Sequence, residues 1–404
     1  MAVANLLIVM VGLPARGKST VAKRLQEGLT SSGIRTEIFN NGKLRRDWLG
    51  PSSALPEFYA PDNREGYEIR EKIARTNLEA ARVFFEKGGE VAIFDATNAS
   101  RERREMIDRL FFDTIILFLE CVNEDAELLK ACVLNKANLA EFSSISHDQS
   151  VRAFYQRIEY YRMLASPLER ERRYIRLDTL SNSIIEEHLS HDVPHYISIR
   201  DILVSDWVRS LFLVRHGQSQ YNVEDRIGGD ASLTGKGRAQ ALQLAACFEG
   251  KSIPYIFTSK KIRSRETAVP LAEAHPEARC ITIGELDEID SGVCEGMSYQ
   301  DIKRLMPEEY ALRSKDKYNY CYPRGEGYAS MQQRVARGFR KALFLAGGKS
   351  NIVMIGHQAV NRMVLSLFLF RRTEDVPYIY VPQNQYFHII ATHQKKLFEL
   401  VPFS

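Results

Sequence analysis

The sequence predicts an α/β protein in two halves, each a mostly parallel sheet with helices on both faces. Three observations carry that expectation. Short, continuous apolar runs alternate with helix-period segments along the whole chain, which is how strands buried on both faces of a parallel sheet read. The first such run leads into a glycine-rich loop, and a comparable run near residue 211 leads into a cluster bearing arginine and histidine. The length of 404 residues suits two domains at about 100–200 residues each.

Residues 6–11 (LLIVMV) are apolar throughout and too few for a buried helix, so they predict the first strand. A glycine loop ends it, and residues 20–29 predict the helix that follows. Further strands are predicted at 36–39 (TEIF), 91–95 (VAIFD), 114–120 (TIILFLE) and 174–177 (YIRL), with crossover helices between them. Ser100 is placed to cap the helix after VAIFD. The irregular stretch 191–210 then precedes a second start, with strands at 211–214 (LFLV), 255–259 (YIFTS) and 351–357 (NIVMIGH). The expected domains are 1–207 and 208–404.

Composition narrows the function classes. Apolar residues at 45% and charged residues at 26% exclude collagen, a coiled coil and wholesale disorder. Residues 1–200 carry 28 Lys+Arg against 29 Asp+Glu, leaving 55 − 28 = 27 against 51 − 29 = 22 beyond, so the halves are −1 and +5. That excess is too small and scattered for a nucleic-acid partner, but it suits a second half that takes a compact anion. The six cysteines form no Cys-x-x-Cys pair, so no zinc site or disulfide framework is expected. No stretch reaches the ~20 apolar residues of a membrane span, and the first apolar run lacks a basic leader. A cytoplasmic protein without a membrane partner is expected.

Gly12-Leu13-Pro14-Ala15-Arg16-Gly17-Lys18-Ser19 has the spacing of a phosphate-binding loop between a strand and a helix. Its glycines let backbone N–H groups curl around phosphate oxygens, Lys18 reaches the β/γ-phosphates, and Ser19 can ligate Mg²⁺. Asp95 ends a buried strand, where such folds hold Mg²⁺ or its water; an aspartate there can equally serve as a helix cap. The chain shows Asn135-Lys136-Ala137-Asn138, without the aspartate of a guanine-reading N-K-x-D segment. Phosphoryl transfer to a small molecule is therefore the better expectation.

In the second half, His216 follows a buried strand, where open α/β sheets place ligands. An imidazole there can attack phosphorus if cations offset the phosphoryl oxygens, and Arg215 and Arg263 supply them. The strand 351–357 repeats the arrangement with Gly356-His357-Gln358, so two histidines at two strand ends predict one site. A leaving alkoxide needs a proton. Glu288 is the candidate donor, with Asp287, Asp290 and Glu295 as alternatives.

Taken in order, these segments resemble the bifunctional 6-phosphofructo-2-kinase/fructose-2,6-bisphosphatase family. They are GLPARGKS, FDATN with RERR, RHG with Ser219 and Asn222, RIGGD, LDEIDSGVCEGMSY, ALR with DKY, YPRGEGY and GHQAVNR. The resemblance runs from about residue 6 to 385. It implies a P-loop kinase fold followed by a histidine-phosphatase fold like that of phosphoglycerate mutase. It also implies synthesis of fructose 2,6-bisphosphate from ATP and fructose 6-phosphate with Mg²⁺, hydrolysis back through a phosphohistidine, and a homodimer through the kinase half. Such an enzyme controls the balance of glycolysis and gluconeogenesis.

By position, the resemblance gives Gly12 to Ser19 to ATP, Ser19 and Asp95 to Mg²⁺, and Lys18, Asp95 and Lys136 to the transfer itself. Arg45, Arg46, Arg70, Thr97, Arg157 and Tyr161 would hold fructose 6-phosphate. In the second half His216 would carry the phosphoryl group and Glu288 would protonate the leaving 2-oxygen. Arg215, Arg263 and His357 would stabilise the equatorial oxygens. Asn222, Tyr299, Arg313, Lys317, Tyr328, Gln358 and Arg362 would hold the bisphosphate. The chain begins and ends close to its predicted strands, so the long phosphorylatable termini of many relatives are not expected. Ser181-Asn182 stands where some members carry an arginine.

Overall fold

The computed structural model describes residues 5–50, 53, 55–60, 62–138, 140–142, 145–189, 193–369 and 371–403. It divides into two compact units, Met1–Ser205 and Asp206–Ser404. No helix among the described residues is long and apolar enough to cross a membrane.

The first unit runs β1 (Leu6–Val11), α1 (Lys18–Ser31), β2 (Thr36–Asn40), α2 (Asn41–Leu49), α3 (Arg64–Glu86), β3 (Val91–Asp95) and α4 (Arg101–Leu110). It continues through β4 (Ile115–Val122), α5 (Ala126–Ala137), α6 (His147–Leu164), β5 (Arg173–Asp178), β6 (Ser183–Leu189) and α7 (Tyr196–Val204). The sheet order is β2-β3-β1-β4-β5-β6. Every pairing is parallel except β5 with β6. All residues of β1 and β3 are buried, as their unbroken apolar runs require. From β1 the chain builds β2 and β3 on one side, then crosses to β4 and β5 on the other. That reversal leaves a crevice above the carboxyl end of β1. Ser100 does cap α4, accepting from the Arg103 N–H.

Backbone proximity dictates the glycine that opens the loop after β1. Gly12 has φ 131°, and a Cβ there would lie 2.4 Å from the carbonyl oxygen of Cys121 on β4. Only a residue without a side chain lets the loop cross so near its neighbour.

The second unit runs β7 (Val208–Arg215), α8 (Gln220–Val223), α9 (Gly235–Cys247), β8 (Tyr255–Thr258), α10 (Ile262–Ala274), β9 (Arg279–Thr282) and α11 (Tyr299–Leu305). Then come α12 (Pro307–Lys315), α13 (Tyr328–Ala346), β10 (Ile352–Gly356), α14 (Gln358–Ser366), β11 (Gln385–Ala391) and β12 (Lys396–Pro402). The order is β12-β11-β7-β10-β8-β9. β7, β10, β8 and β9 are mutually parallel, whereas β11 is antiparallel to both β7 and β12. The topology reverses between β7 and β10, whose register sets Gly356 opposite Arg215. The segment after β7 also meets the start of α9 backbone to backbone: a Cβ on Gly237 would lie 2.1 Å from Gln218 O.

Four strands exceed the expected set: β6, β9, β11 and β12. β6 is an edge strand with alternating partial exposure and two adjacent glutamates, a pattern that discourages further pairing. β9 has only four residues, none of them buried. β11 and β12 form an antiparallel pair whose half-buried faces never produce an apolar run.

Candidate active sites

In the first unit the loop 12–17 delivers Lys18 to the mouth of the crevice. α1 has no side-chain cap, so the N–H groups of its first turn face the loop as donors for an anion. The residue is only half-buried as a whole, but its ammonium is enclosed, donating to the carbonyls of Gly12 and Leu13 at 2.7 Å each. Burial pushes its pKa down to about 8, against the pull of Asp95, while Arg157 and Lys136 add to the lowering. The same electrostatic neighbourhood therefore holds Lys18, Asp95, Arg157 and Lys136.

Asp95 is buried at the end of β3. Its neighbour in register on β2 is Asn40, whose Nδ2 donates to Asp95 Oδ2. The same amide's oxygen caps α2 by accepting from the Lys43 N–H at 2.6 Å. One side chain thus locks the carboxylate to the start of the next helix. Thr97 stands in the following turn, and its carbonyl accepts from the Gly12 N–H at 3.0 Å, tying that turn to the phosphate loop.

Beside this crevice an aromatic box gathers the basic residues. Arg157 lies over the Tyr59 ring at 4.6 Å, and Arg70 lies over the same ring at 5.3 Å and over Tyr160 at 5.0 Å. Tyr161 packs 6.0 Å from Tyr59. Arg45 is buried, bonded to the Tyr59 hydroxyl and to Glu141. Arg46 is half-exposed, 3.8 Å from Glu141. Lys136, in the last turn of α5, is exposed along its stem, but burial of its ammonium, with Arg157 nearby, lowers its pKa. Tyr59, Glu141 and Asn40 were not foreseen, because none belongs to a motif: Tyr59 sits in the short turn Pro56–Tyr59 before α3, and only the fold brings it to Arg157.

In the second unit the register of β7 against β10 explains the paired histidines. His216 and His357 follow adjacent strand ends, the His216 N–H donates to Gly356 O at 3.0 Å, and the ring centroids are 5.1 Å apart. Both rings are buried. Nδ1 of His216 is 2.8 Å from Gly217 O; a carbonyl only accepts, so the ring proton sits on Nδ1 and Nε2 keeps its lone pair. Burial, reinforced by Arg263 and Arg215, holds this imidazole well below its usual pKa. The nucleophilic nitrogen stays unprotonated at neutral pH.

Arg263 Nε lies 3.2 Å from His216 Nε2, and Arg215 is held by Val381 O at 3.1 Å. Glu288 reaches the N-terminus of α14, 3.5 Å from the Ala359 N–H. These groups open into a cavity of about 730 Å³ that is also lined by Asn222, Tyr299, Arg313, Lys317, Tyr328, Gln358 and Arg362. Of the eleven side chains expected around a bisphosphate in this half besides His357, the cavity brings together all. His357 is fully buried, its ring against that of His216.

Cationic and phenolic groups alternate along the walls. Arg313 donates to the Tyr299 hydroxyl at 2.9 Å, and Arg362 to the Tyr328 hydroxyl at 3.0 Å. Burial, with Arg313 and Arg362 nearby, pushes Lys317 down to about 8. Tyr322 and Gln383 also line the cavity and were not foreseen. Gln383 Nε2 donates to Asn222 Oδ1 at 2.8 Å and to His216 O at 3.2 Å. No motif marks Gln383; it lies between the short turn Thr373–Tyr378 and β11, and reaches the site only because β11 pairs with β7. Of the four carboxylates the sequence offers as proton donor, Asp287, Asp290 and Glu295 do not line the cavity, whereas Glu288 does.

Residues 1–202 match the family model described as 6-phosphofructo-2-kinase, and residues 211–401 match the histidine phosphatase superfamily, branch 1. Among characterised relatives, 6-phosphofructo-2-kinase/fructose-2,6-bisphosphatase 4 of Rattus norvegicus is 35% identical over 388 residues. That match covers 93% of this chain and 80% of the relative. The Homo sapiens protein of the same name is 36% identical with the same coverage. A solved structure of a putative alpha-ribazole-5'-P phosphatase from Escherichia coli is 24% identical, covering 48% of this chain and 96% of that one, with a TM-score of 0.45.

Proposed function

This chain belongs to the bifunctional 6-phosphofructo-2-kinase/fructose-2,6-bisphosphatase family, and from that premise we propose how its residues divide the work. The protein synthesises fructose 2,6-bisphosphate from ATP and fructose 6-phosphate in its first half and hydrolyses it in its second. The observation that carries the residue assignment is a neutral His216 whose unprotonated Nε2 accepts from Arg263, with Arg215 and Glu288 in the same cavity.

In the kinase half, Arg70, Arg157, Tyr161 and Thr97 hold fructose 6-phosphate, with Arg45 and Arg46 behind them. The sugar 2-hydroxyl attacks the γ-phosphorus, the bond to the β-phosphate oxygen breaks, ADP leaves, and the hydroxyl proton passes to solvent. Gly12 to Ser19 orient the phosphates, and Lys18 and Lys136 offset the charge on the transferring group. Ser19 and Asp95 offer two protein oxygens, and no cluster of three acidic, histidine or cysteine side chains occurs among the described residues. That suits Mg²⁺, which keeps water and phosphate oxygens in most of its shell. Bound by Ser19 and Asp95, the ion would neutralise charge on the phosphates during transfer.

In the phosphatase half, His216 Nε2 attacks the 2-phosphorus and the bond to the sugar 2-oxygen breaks. Glu288 gives its proton to that oxygen. Fructose 6-phosphate leaves, and the Glu288 carboxylate then takes a proton from water as it attacks the phosphohistidine, releasing phosphate. Arg215, Arg263 and His357 stabilise the equatorial oxygens, while Arg313, Lys317 and Arg362 with their phenolic partners hold the second phosphate and the ring. Incubation with fructose 2,6-bisphosphate labelled at the 2-phosphate is expected to leave acid-labile, base-stable label on His216. Hydrolysis that proceeds with no labelled protein under rapid quench would rule out the covalent route.

A pH dependence follows from Lys317. A lysine held near pKa 8 is cationic below that pH and neutral above it, so the free enzyme loses a phosphate-binding charge as pH rises from 7 to 9. KM for fructose 2,6-bisphosphate should rise by about tenfold at pH 9, since each unit above the pKa cuts the cationic fraction tenfold. Lys317→Arg should flatten the rise. A flat wild-type profile would remove Lys317 from the binding set. The family also supports a homodimer through the kinase half and a cytoplasmic setting.

A further inference from the structure

Behind the paired histidines lies a buried contact that the mechanism above does not use. Ser259, the first residue after β8, is fully buried, and its Oγ lies 2.7 Å from His357 Nε2. The same Oγ accepts from the Lys261 N–H at 3.1 Å. A hydroxyl has one proton to give. Lys261 takes one lone pair and leaves that proton available to His357 Nε2. Nδ1 of His357 has no partner among the described residues although it is buried, and its ring adjoins that of His216.

We propose that Ser259 is a positioning residue of the phosphatase site: its hydroxyl donates to His357 Nε2, which keeps the ring proton on Nδ1, from where it hydrogen-bonds an oxygen of the transferring phosphoryl group. The proposal rests on the phosphatase reading of this cavity. It also accounts for the one unsatisfied nitrogen of a ring with no solvent to turn to. The charged and titratable groups around that ring are His216 and Arg215 from the end of β7, Arg263 of α10, and Lys261 just before it. All oppose a second positive charge, so His357 works as a neutral donor whose direction must be set by a hydrogen bond. Ser259 is itself fixed, its N–H lying 3.2 Å from Ser264 Oγ, which donates to Ile355 O on β10 at 2.6 Å. The chain β8–Ser259–His357–β10 is thereby closed.

The test is Ser259→Ala in the full-length chain, with Ser259→Thr to restore the hydroxyl and a thermal melt to control for folding. Nitrogen-15 NMR of histidine-labelled protein should show His357 as a single Nδ1–H tautomer in the wild type and a mixture or an Nε2–H tautomer in Ser259→Ala. The kcat for fructose 2,6-bisphosphate hydrolysis should fall by about tenfold to a hundredfold, the range seen when partners that orient a metal-bound imidazole are removed, with KM little changed. Ser259→Thr should recover most of kcat. An unchanged tautomer or an unchanged kcat in Ser259→Ala overturns the proposal. The NMR reading requires no turnover, so it stands or falls apart from the assignment of hydrolysis to this site.

Discussion

His216→Ala leaves the synthesis of fructose 2,6-bisphosphate running and stops its hydrolysis. The effect should be the largest available in the second unit, because the substitution removes the atom that bonds to phosphorus rather than a group that assists. A loss of at least about 10⁴-fold in kcat is expected, as for other enzymes stripped of a nucleophile. Water cannot take over easily, since the place of the imidazole is enclosed and flanked by Arg215 and Arg263, which hold a phosphate but activate nothing. Because burial and those two arginines keep the imidazole neutral well below its ordinary titration range, the wild-type enzyme should not lose its nucleophile between pH 7 and 6. The variant is checked by assaying both reactions and by the loss of acid-labile label. Residual hydrolysis within tenfold of wild type would refute the nucleophile assignment.

Lys18→Ala does the reverse, removing synthesis and sparing hydrolysis. The lysine closes the phosphate loop, and its ammonium sits on the carbonyls of Gly12 and Leu13, from which it must swing to reach a γ-phosphate. Removing one charged donor to a transferring group costs roughly 10²–10³-fold in rate. Lys18→Arg should not rescue it, because a rigid planar fork does not replace a compact point charge in this enclosed position. The measurement is the initial rate of fructose 2,6-bisphosphate formation at saturating ATP. Synthesis within threefold of wild type in Lys18→Ala would take the loop out of the reaction.

The sites were legible to different depths. Strands such as β1 and β3 announce themselves because both faces are buried, so a short run carries only apolar side chains. Lys18, His216 and His357 could be read because chemistry demands that residue at that place relative to a strand end. β6, β11 and β12 were hidden because a half-exposed strand mixes polar and apolar residues. Tyr59, Glu141, Gln383 and Ser259 were hidden for another reason. Each acts on a residue far away in the chain, Tyr59 on Arg157 and Ser259 on His357, and nothing local in the sequence records such a meeting. Lys136 carries the reverse lesson: its spacing was legible, but that its ammonium shares the buried cationic neighbourhood of Arg157 and Lys18 could be learned only from the fold.

The placement of β10 between β7 and β8 has a consequence for how this half comes into being. Both flanking strands leave the ribosome before β10, yet they pair with it and not with each other. The sheet must either wait with an open slot at its centre or close wrongly and reopen. Pairings so far apart in sequence close late, and the late strand is the one that brings His357 to His216. A nascent or truncated chain ending before β10 would hold the nucleophile but no assembled pocket, so phosphatase competence is gained in the last stage of folding, well after the kinase half has left the tunnel.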